Sequence, residues 1–375
     1  MAPTFGTFHV NYRVLAIILI VALPALAIGS LIVLGTGQSR LREAYGQQLT
    51  QLAERTAAAA DAYVFRRIID VAILAKVPTV ADAAASGSLA PSDPEAVREL
   101  DRQWQLESAP PPTLAGLYDT AASRFLRDVT RSDPIYSEVL LTDRHGALVA
   151  ASGVTSDYLQ ADEPWWNEAN STGQVSVGDV QWDESARVFA INIAVPVLDP
   201  VSQLPIGVLK AAANVRELFA AISGLQSGEG AEPVLLRTDG SIVFSRQSAD
   251  PNARFYAIEL LREQLQTIQP GDPDYQLFFR AQSREQSPQL VAIASTQLAQ
   301  SYPQLPWLVA VSASEAELFA PVREQARNLL LWFATMAVVA LVIVLALSIR
   351  VAVPRNESME MHLVEHAETE RHEEG

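Results

Sequence analysis

The 375 residues contain no cysteine, which excludes disulfides, thiolate zinc sites and a cysteine nucleophile. A cysteine-free chain fits an exported bacterial domain. Lysine is nearly absent too, with Lys76 and Lys210 the only two. At a formal charge of -16 the chain offers no basic surface for phosphates, so nucleic acid is excluded as a partner. Histidine is equally sparse. His9 precedes an apolar run, His145 sits in a turn, and His362, His366 and His372 lie in an acidic tail. His362 and His366 would share a helix face, but without a third ligand beside them they read as part of a solvated charged helix rather than a metal site. Acidic neighbours such as Asp162 and Glu163 are too common in so acidic a chain to mark acid/base chemistry. No catalytic constellation, metal or cofactor is expected, and the chain is not read as an enzyme.

Apolar residues are plentiful. At 49% hydrophobic the chain can bury one large or two medium cores. Two uncharged runs stand out, residues 14–34 and 329–349, each 21 residues long. As helices they reach about 32 Å, enough to cross the hydrocarbon of a bilayer. Ala25-Leu-Ala27 also looks like a signal-peptide cleavage site, but the run continues to Leu34, longer than a signal core. Arg13 before the first run and Arg350 and Arg355 after the second place both ends in the cytoplasm. The long segment between them is translocated regardless of its own charge. The expectation is a multi-pass protein of the bacterial inner membrane: cytoplasmic residues 1–13, a span at 14–34, an outer domain, a span at 329–349 and a cytoplasmic tail at 350–375.

Between the spans, residues 39–85 carry almost no Gly or Pro and place Leu41, Tyr45, Leu49, Leu52, Val64, Ile68, Val71 and Leu74 at helical spacing. This predicts one long helix, bent at Gly46 and ended near Pro78. A helix of this length is expected to pair with a second copy. Its Ala57 to Ala60 segment argues for packing against a globular partner rather than a plain coiled coil. Shorter helices are predicted over 95–106, 114–129, 164–170 and 258–268, and another over 312–327 leading into the second span. From Tyr136 the period turns toward strand, with candidates at 137–142, 147–152, 174–181, 187–197 and 207–213.

The pattern then recurs. Val139-Leu-Leu-Thr-Asp-Arg-His-Gly-Ala-Leu-Val149 is echoed by Val234-Leu-Leu-Arg-Thr-Asp-Gly-Ser-Ile-Val243, both reading as hairpins with an Asp/Gly turn. Val208-Leu-Lys-Ala with Glu217-Leu-Phe219 is echoed by Leu308-Val-Ala-Val with Glu317-Leu-Phe319. Two echoes in the same order imply two copies of one module, at 136–222 and 231–314. The first copy alone holds an aromatic stretch from Asp157 to Asp183, with Tyr158, Trp165, Trp166 and Trp182 among Glu163 and Asp183. Those residue types line small-molecule pockets. They serve equally as core with satisfied indole N–H groups. Lys210, on a predicted strand, either faces the pocket or snorkels from the sheet.

Two spans flanking a long helix and two PAS-like sheets, the first with an aromatic pair after a Tyr, resemble the double Cache sensor domains of bacterial chemoreceptors and histidine kinases. The resemblance covers about residues 37–325 and implies an α+β fold of two tandem antiparallel-sheet modules, with a ligand pocket in the membrane-distal one. Among amino-acid-binding members of that family a Tyr, an Arg, a Trp and a Tyr line the pocket. Tyr158, Trp165 and Trp166 match the aromatic positions, and Glu163 stands where the Arg would be. The family's later acidic residue, for the ligand ammonium, falls on Ala212, and Asp183 is the carboxylate that could replace it. A carboxylate at 163 would repel the ligand carboxylate that the Arg receives. A cationic or neutral small molecule is the expected ligand, since aromatic faces attract ammonium groups. Pro354 resembles the opening of a HAMP linker, and no effector domain follows within these residues. The expected function is a transmembrane signal receptor. The alternative is a membrane-anchored binding or scaffolding protein that signals through a separate cytoplasmic partner.

Overall fold

The computed structural model describes residues 12–351 apart from 88–92, 108–109, 184–186, 226–230, 247–252, 261–277 and 284–286. The HAMP-like start, the tail histidines, and all but the first turn of the helix expected at 258–268 lie outside these residues. The chain forms two compact units, Tyr45–Leu318 and a second made of Met1–Ala44 with Phe319–Gly375.

Helix α1 runs without interruption over Tyr12–Ala75. Within the first unit it buries Leu49, Leu52, Ala53, Ala57, Ala60, Val64, Ile68, Val71 and Ala75 along one stripe, the three-and-four spacing of an amphipathic helix. Ala53, Ala57 and Ala60 fill the middle of that stripe, at 0–3% exposure. A Cβ at Gly46 would stand 2.4 Å from the Phe278 ring, so the glycine serves close approach there. Within the stretch 39–85 the helix ends at Ala75, near Pro78 as expected, because Val77 is extended ahead of Pro78 and proline disfavours helical backbone in the residue before it. Pro78 then opens α2, Pro78–Ser86. Helix α3 covers Pro94–Glu107. The helix expected at 114–129 is two pieces, a 3-10 segment over Pro112–Asp119 and α4 over Ala121–Ser132, divided where the Thr120 hydroxyl caps α4 by accepting from Ser123 N at 3.0 Å.

The first module's sheet comprises β1 (Tyr136–Asp143), β2 (Leu148–Ala151), β3 (Ser176–Val177), β4 (Gln181–Asp183), β5 (Val188–Leu198) and β6 (Pro205–Asn214). Its order is β2-β1-β6-β5-β3, with β4 also on β5, and every pairing is antiparallel. Helix α5 (Pro164–Thr172) lies between β2 and β3, opened by Pro164 and ended by Gly173 at φ 66°. Helix α6 (Arg216–Gly224) leads to the second module. There β7 (Glu232–Arg237), β8 (Ile242–Phe244), β9 (Phe278–Gln282), β10 (Pro288–Ser295) and β11 (Trp307–Ser314) form a sheet of order β8-β7-β11-β10-β9. Counted from each module's own first strand, the orders are 2-1-6-5-3 and 2-1-5-4-3, which coincide when β3 and β4, both paired with β5, are taken as one edge.

The duplication reaches the turns. Asp143 Oδ1 accepts from His145 N at 2.8 Å and Ala147 N at 3.1 Å, with Gly146 at φ 86°; Asp239 Oδ1 accepts from Ser241 N at 2.9 Å, with Gly240 at φ 89°. After each hairpin an extended strand of chain crosses back over it. Leu148 N donates to Tyr158 O and Gln160 N to Gly146 O. In the second module Ile242 N donates to Ala253 O and Phe255 N to Gly240 O. Ala253 therefore occupies the place of Tyr158.

Two sequence expectations fail locally. The strand expected at 174–181 is broken into β3 and β4 around Gly178, Asp179 and Val180, where the Asp179 side chain takes partners from the second module. The helix expected from 312 begins later, because β11, which follows the short α7 (Leu298–Ser301), continues to Ser314 before α8 over Glu315–Leu318 and then α9 over Ala320–Val351. Residues Ala320–Ile343 of α9 are long and apolar enough to cross a membrane. They are the only such segment among the described residues searched. The other predicted span, 14–34, falls within α1, where many side chains lie outside the described set.

Candidate functional site

A cavity of about 430 Å³ opens on one face of the first sheet. Strand register explains its floor. Glu138 and Leu140 of β1, Lys210 of β6, and Ala190 and Asn192 of β5 share one face, since Leu140 pairs Lys210 and Ala212 pairs both Glu138 and Asn192. Helix α5 covers the same face further along, where Trp166 packs on Ala169, Ala194 and Val208. Where α5 ends, the floor is left open. Thr155, Ser156 and Gln160 form one wall, and Gln181, Trp182 and Asp183 of β4 form the other.

Lys210 is the central charge. Its Nζ lies 3.4 Å from Glu138 Oε1, with both side chains about five-sixths buried (16% and 17% exposed), and 5.3 Å from the centre of the Trp165 ring. An ammonium over an indole face is attracted by the ring quadrupole, and the carboxylate fixes its other side. Lys210 thus faces the cavity rather than snorkelling away. Glu138 and Asp183 against Lys210 leave the lining with one net negative charge. Trp182 borders the cavity at β4, but its ring is 45% exposed and meets Phe189, its register partner, edge to face at 5.1 Å, on the sheet face opposite Ala190 and Asn192.

The 155–160 wall is held from behind. Asp101 of α3 accepts from Tyr158 N at 2.9 Å and Leu159 N at 2.8 Å, and the Trp104 indole donates to Thr155 O at 2.9 Å while stacking on Tyr158 at 5.8 Å. Burial pushes the Asp157 carboxyl above its ordinary range, against hydrogen bonds from Gln160 and Ser156 that pull it back.

Of the sequence-predicted residues, the structure brings Trp182 and Asp183 onto the cavity, with Trp165 behind Lys210. Tyr158 and Trp166 are placed otherwise. Tyr158 is fully buried with Trp104, Leu114, Leu117 and Leu148. Trp166 is buried with its indole N–H donating to Thr142 Oγ1 at 2.9 Å. Both are core, because the segment carrying Tyr158 turns its ring toward α3 and α5 sets Trp166 against the sheet. Glu163 is the N-cap residue of α5 and does not line the cavity. Sequence reasoning missed Glu138, Asn192 and Gln160. Strand parity with Lys210 was the available signal for Glu138, and it required the β1/β6 register to use. Among the described residues no group of three His, Asp or Glu could hold a metal ion.

No family model matches the chain, and no curated protein does. Solved structures do resemble it. The ligand-binding domain of the Pseudomonas aeruginosa amino acid chemoreceptor PctB, in complex with L-Arg, is 17% identical over 74% of this chain and 98% of that one, with a TM-score of 0.46. The sensory domain of the Campylobacter jejuni chemoreceptor Tlp3 with isoleucine bound is 14% identical over 75% and 96%, with a TM-score of 0.48. The ligand-binding domain of the Pseudomonas fluorescens chemoreceptor CtaA in complex with L-isoleucine is 15% identical over 76% and 98%, with a TM-score of 0.47.

Proposed function

We propose that this chain is a transmembrane receptor whose extracytoplasmic double Cache domain binds a small molecule carrying a positively charged amino group. The observation that carries the reading is the cavity over the first sheet, in which two carboxylates and one ammonium line a volume suited to a metabolite. The carboxylate that the family resemblance puts at 212 has a substitute one strand away, since Glu138 is the register partner of Ala212. Lys210 beside it supplies a cation for any carboxylate the ligand also bears. In this reading residues 14–34 and 329–349 both span the inner membrane and the receptor works as a homodimer paired along α1. Ligand binding acts by favouring one of two arrangements of the outer domain.

The test is a thermal-shift screen of the full chain in lipid nanodiscs against amines, amino acids, organic acids and purines. Compounds with an ammonium group are expected to stabilise it, and the shift is expected to vanish in a Trp182→Ala, Asp183→Ala double variant and to shrink in Trp165→Ala. Stabilisation that survives the double variant contradicts the site.

A further inference from the structure

The break between β3 and β4 is occupied by one carboxylate with partners in both modules. Asp179 Oδ1 accepts from Val180 N at 2.7 Å and from the Trp307 indole Nε1 at 2.9 Å, and its Oδ2 is ion-paired with Arg237 Nε. Arg237 spreads the link, donating Nη2 to Val180 O and Nη1 to Ser241 Oγ, each at 3.3 Å. Trp307 and Arg237 are register partners on β11 and β7, so two adjacent residues of the second sheet grip one residue of the first module. The Asp179 and Arg237 side chains are only 20% and 28% exposed, and Trp307 is buried. Charge-assisted hydrogen bonds in such a place are short, directional and costly to break.

The position of this link matters more than its strength. On one side, Val180 is followed directly by Gln181, Trp182 and Asp183, the β4 wall of the cavity. On the other, Trp307 is the first residue of β11, whose last residue, Ser314, is followed by α8 and then α9. Two further contacts between the modules lie elsewhere. Phe219 stacks on Phe244 at 4.2 Å, and Gln304 donates to Glu168 at 2.7 Å.

We propose that Asp179 is a latch through which displacement of the cavity wall β4 is passed to strand β11 and so to the helix that follows it. The proposal rests on the receptor reading only for what moves β4, namely a ligand. If β4 shifts, the latch either carries Trp307 and Arg237 with it or breaks, and both outcomes change the start of β11.

The absence of native cysteine allows a test that needs no ligand. Gln181 and Ala190 are register partners on β4 and β5, so Gln181→Cys with Ala190→Cys in the full chain in nanodiscs ties the wall on oxidation and releases it on reduction. Backbone hydrogen exchange across residues 307–314 is the readout. Oxidation is expected to slow it about tenfold with the latch intact, and to leave it unchanged when Asp179→Asn or Trp307→Phe is added. Exchange at 307–314 that ignores oxidation, or that responds equally without the latch, overturns the proposal. Asp179→Asn alone, in the cysteine-free chain, gives a second reading if the pair does not close. It is expected to speed exchange at both 181–183 and 307–314, whereas Phe219→Ala speeds neither; a rise on one side only also overturns it. A ligand that fails to bind alters none of these results.

Discussion

Lys210 shows how one side chain acquires a role from its register. Placed on the face shared with Glu138 and Leu140, it meets a carboxylate and an indole at once, and the cavity inherits a fixed cation beside net negative charge. Asp157, behind the opposite wall, titrates against its surroundings. Burial favours its neutral form, so the folded chain holds that proton to a higher pH than the unfolded chain does. Its contribution to stability is therefore complete below the ordinary aspartate range and is lost as pH rises through the raised value. Asp157→Asn keeps an acceptor for Gln160 and removes the charge. Its melting temperature is expected to match the wild type near pH 3 and to exceed it by a few degrees near pH 7. A difference that does not change with pH contradicts this account.

At the scale of elements, α1 shows what periodicity carries and what it does not. The apolar spacing from Leu49 to Val71 marked a helix with one buried stripe, and the alanines within it marked close packing. The stop at Ala75 was legible from Pro78, but the role of Gly46 was not, because a glycine kept for a distant phenylalanine looks in sequence like a glycine kept for a bend. Ala60 is fully buried on that stripe. Ala60→Leu is expected to destabilise the fold by about 1–3 kcal/mol through overpacking, read as a lower urea midpoint with little change in slope. An unchanged midpoint would mean the stripe is not packed as described. The β3/β4 break was illegible for a related reason: the local sequence is a plausible strand, and only Arg237 and Trp307, 58 and 128 residues away, draw Asp179 out of it.

For the whole molecule, the duplication was the most legible feature, since turn chemistry repeats wherever a hairpin must reverse with an Asp and a glycine. The repeated echoes at the hairpin and at the closing strand correspond to two sheets whose strand orders coincide once β3 and β4 are taken as one edge. The site was legible only in outline. Aromatic richness located it in the first module but did not separate Trp182, on the cavity, from Tyr158 and Trp166, in the core. Those roles depend on which way a loop and a helix turn their rings, and that depends on Asp101 and Trp104 of α3, more than fifty residues earlier.

The central claim is that charge in this cavity selects an amino-bearing ligand, and calorimetric titration of the full chain tests it most directly. With primary amines and amino acids as titrants, binding is expected at one site per chain. The Kd should rise about tenfold or more in a Glu138→Gln, Asp183→Asn double variant, equivalent to about 1.4 kcal/mol, and should fall for simple amines in Lys210→Met, where the ligand's ammonium takes the place of the lysine's. Binding confined to anions, or a Kd indifferent to all three substitutions, would contradict it.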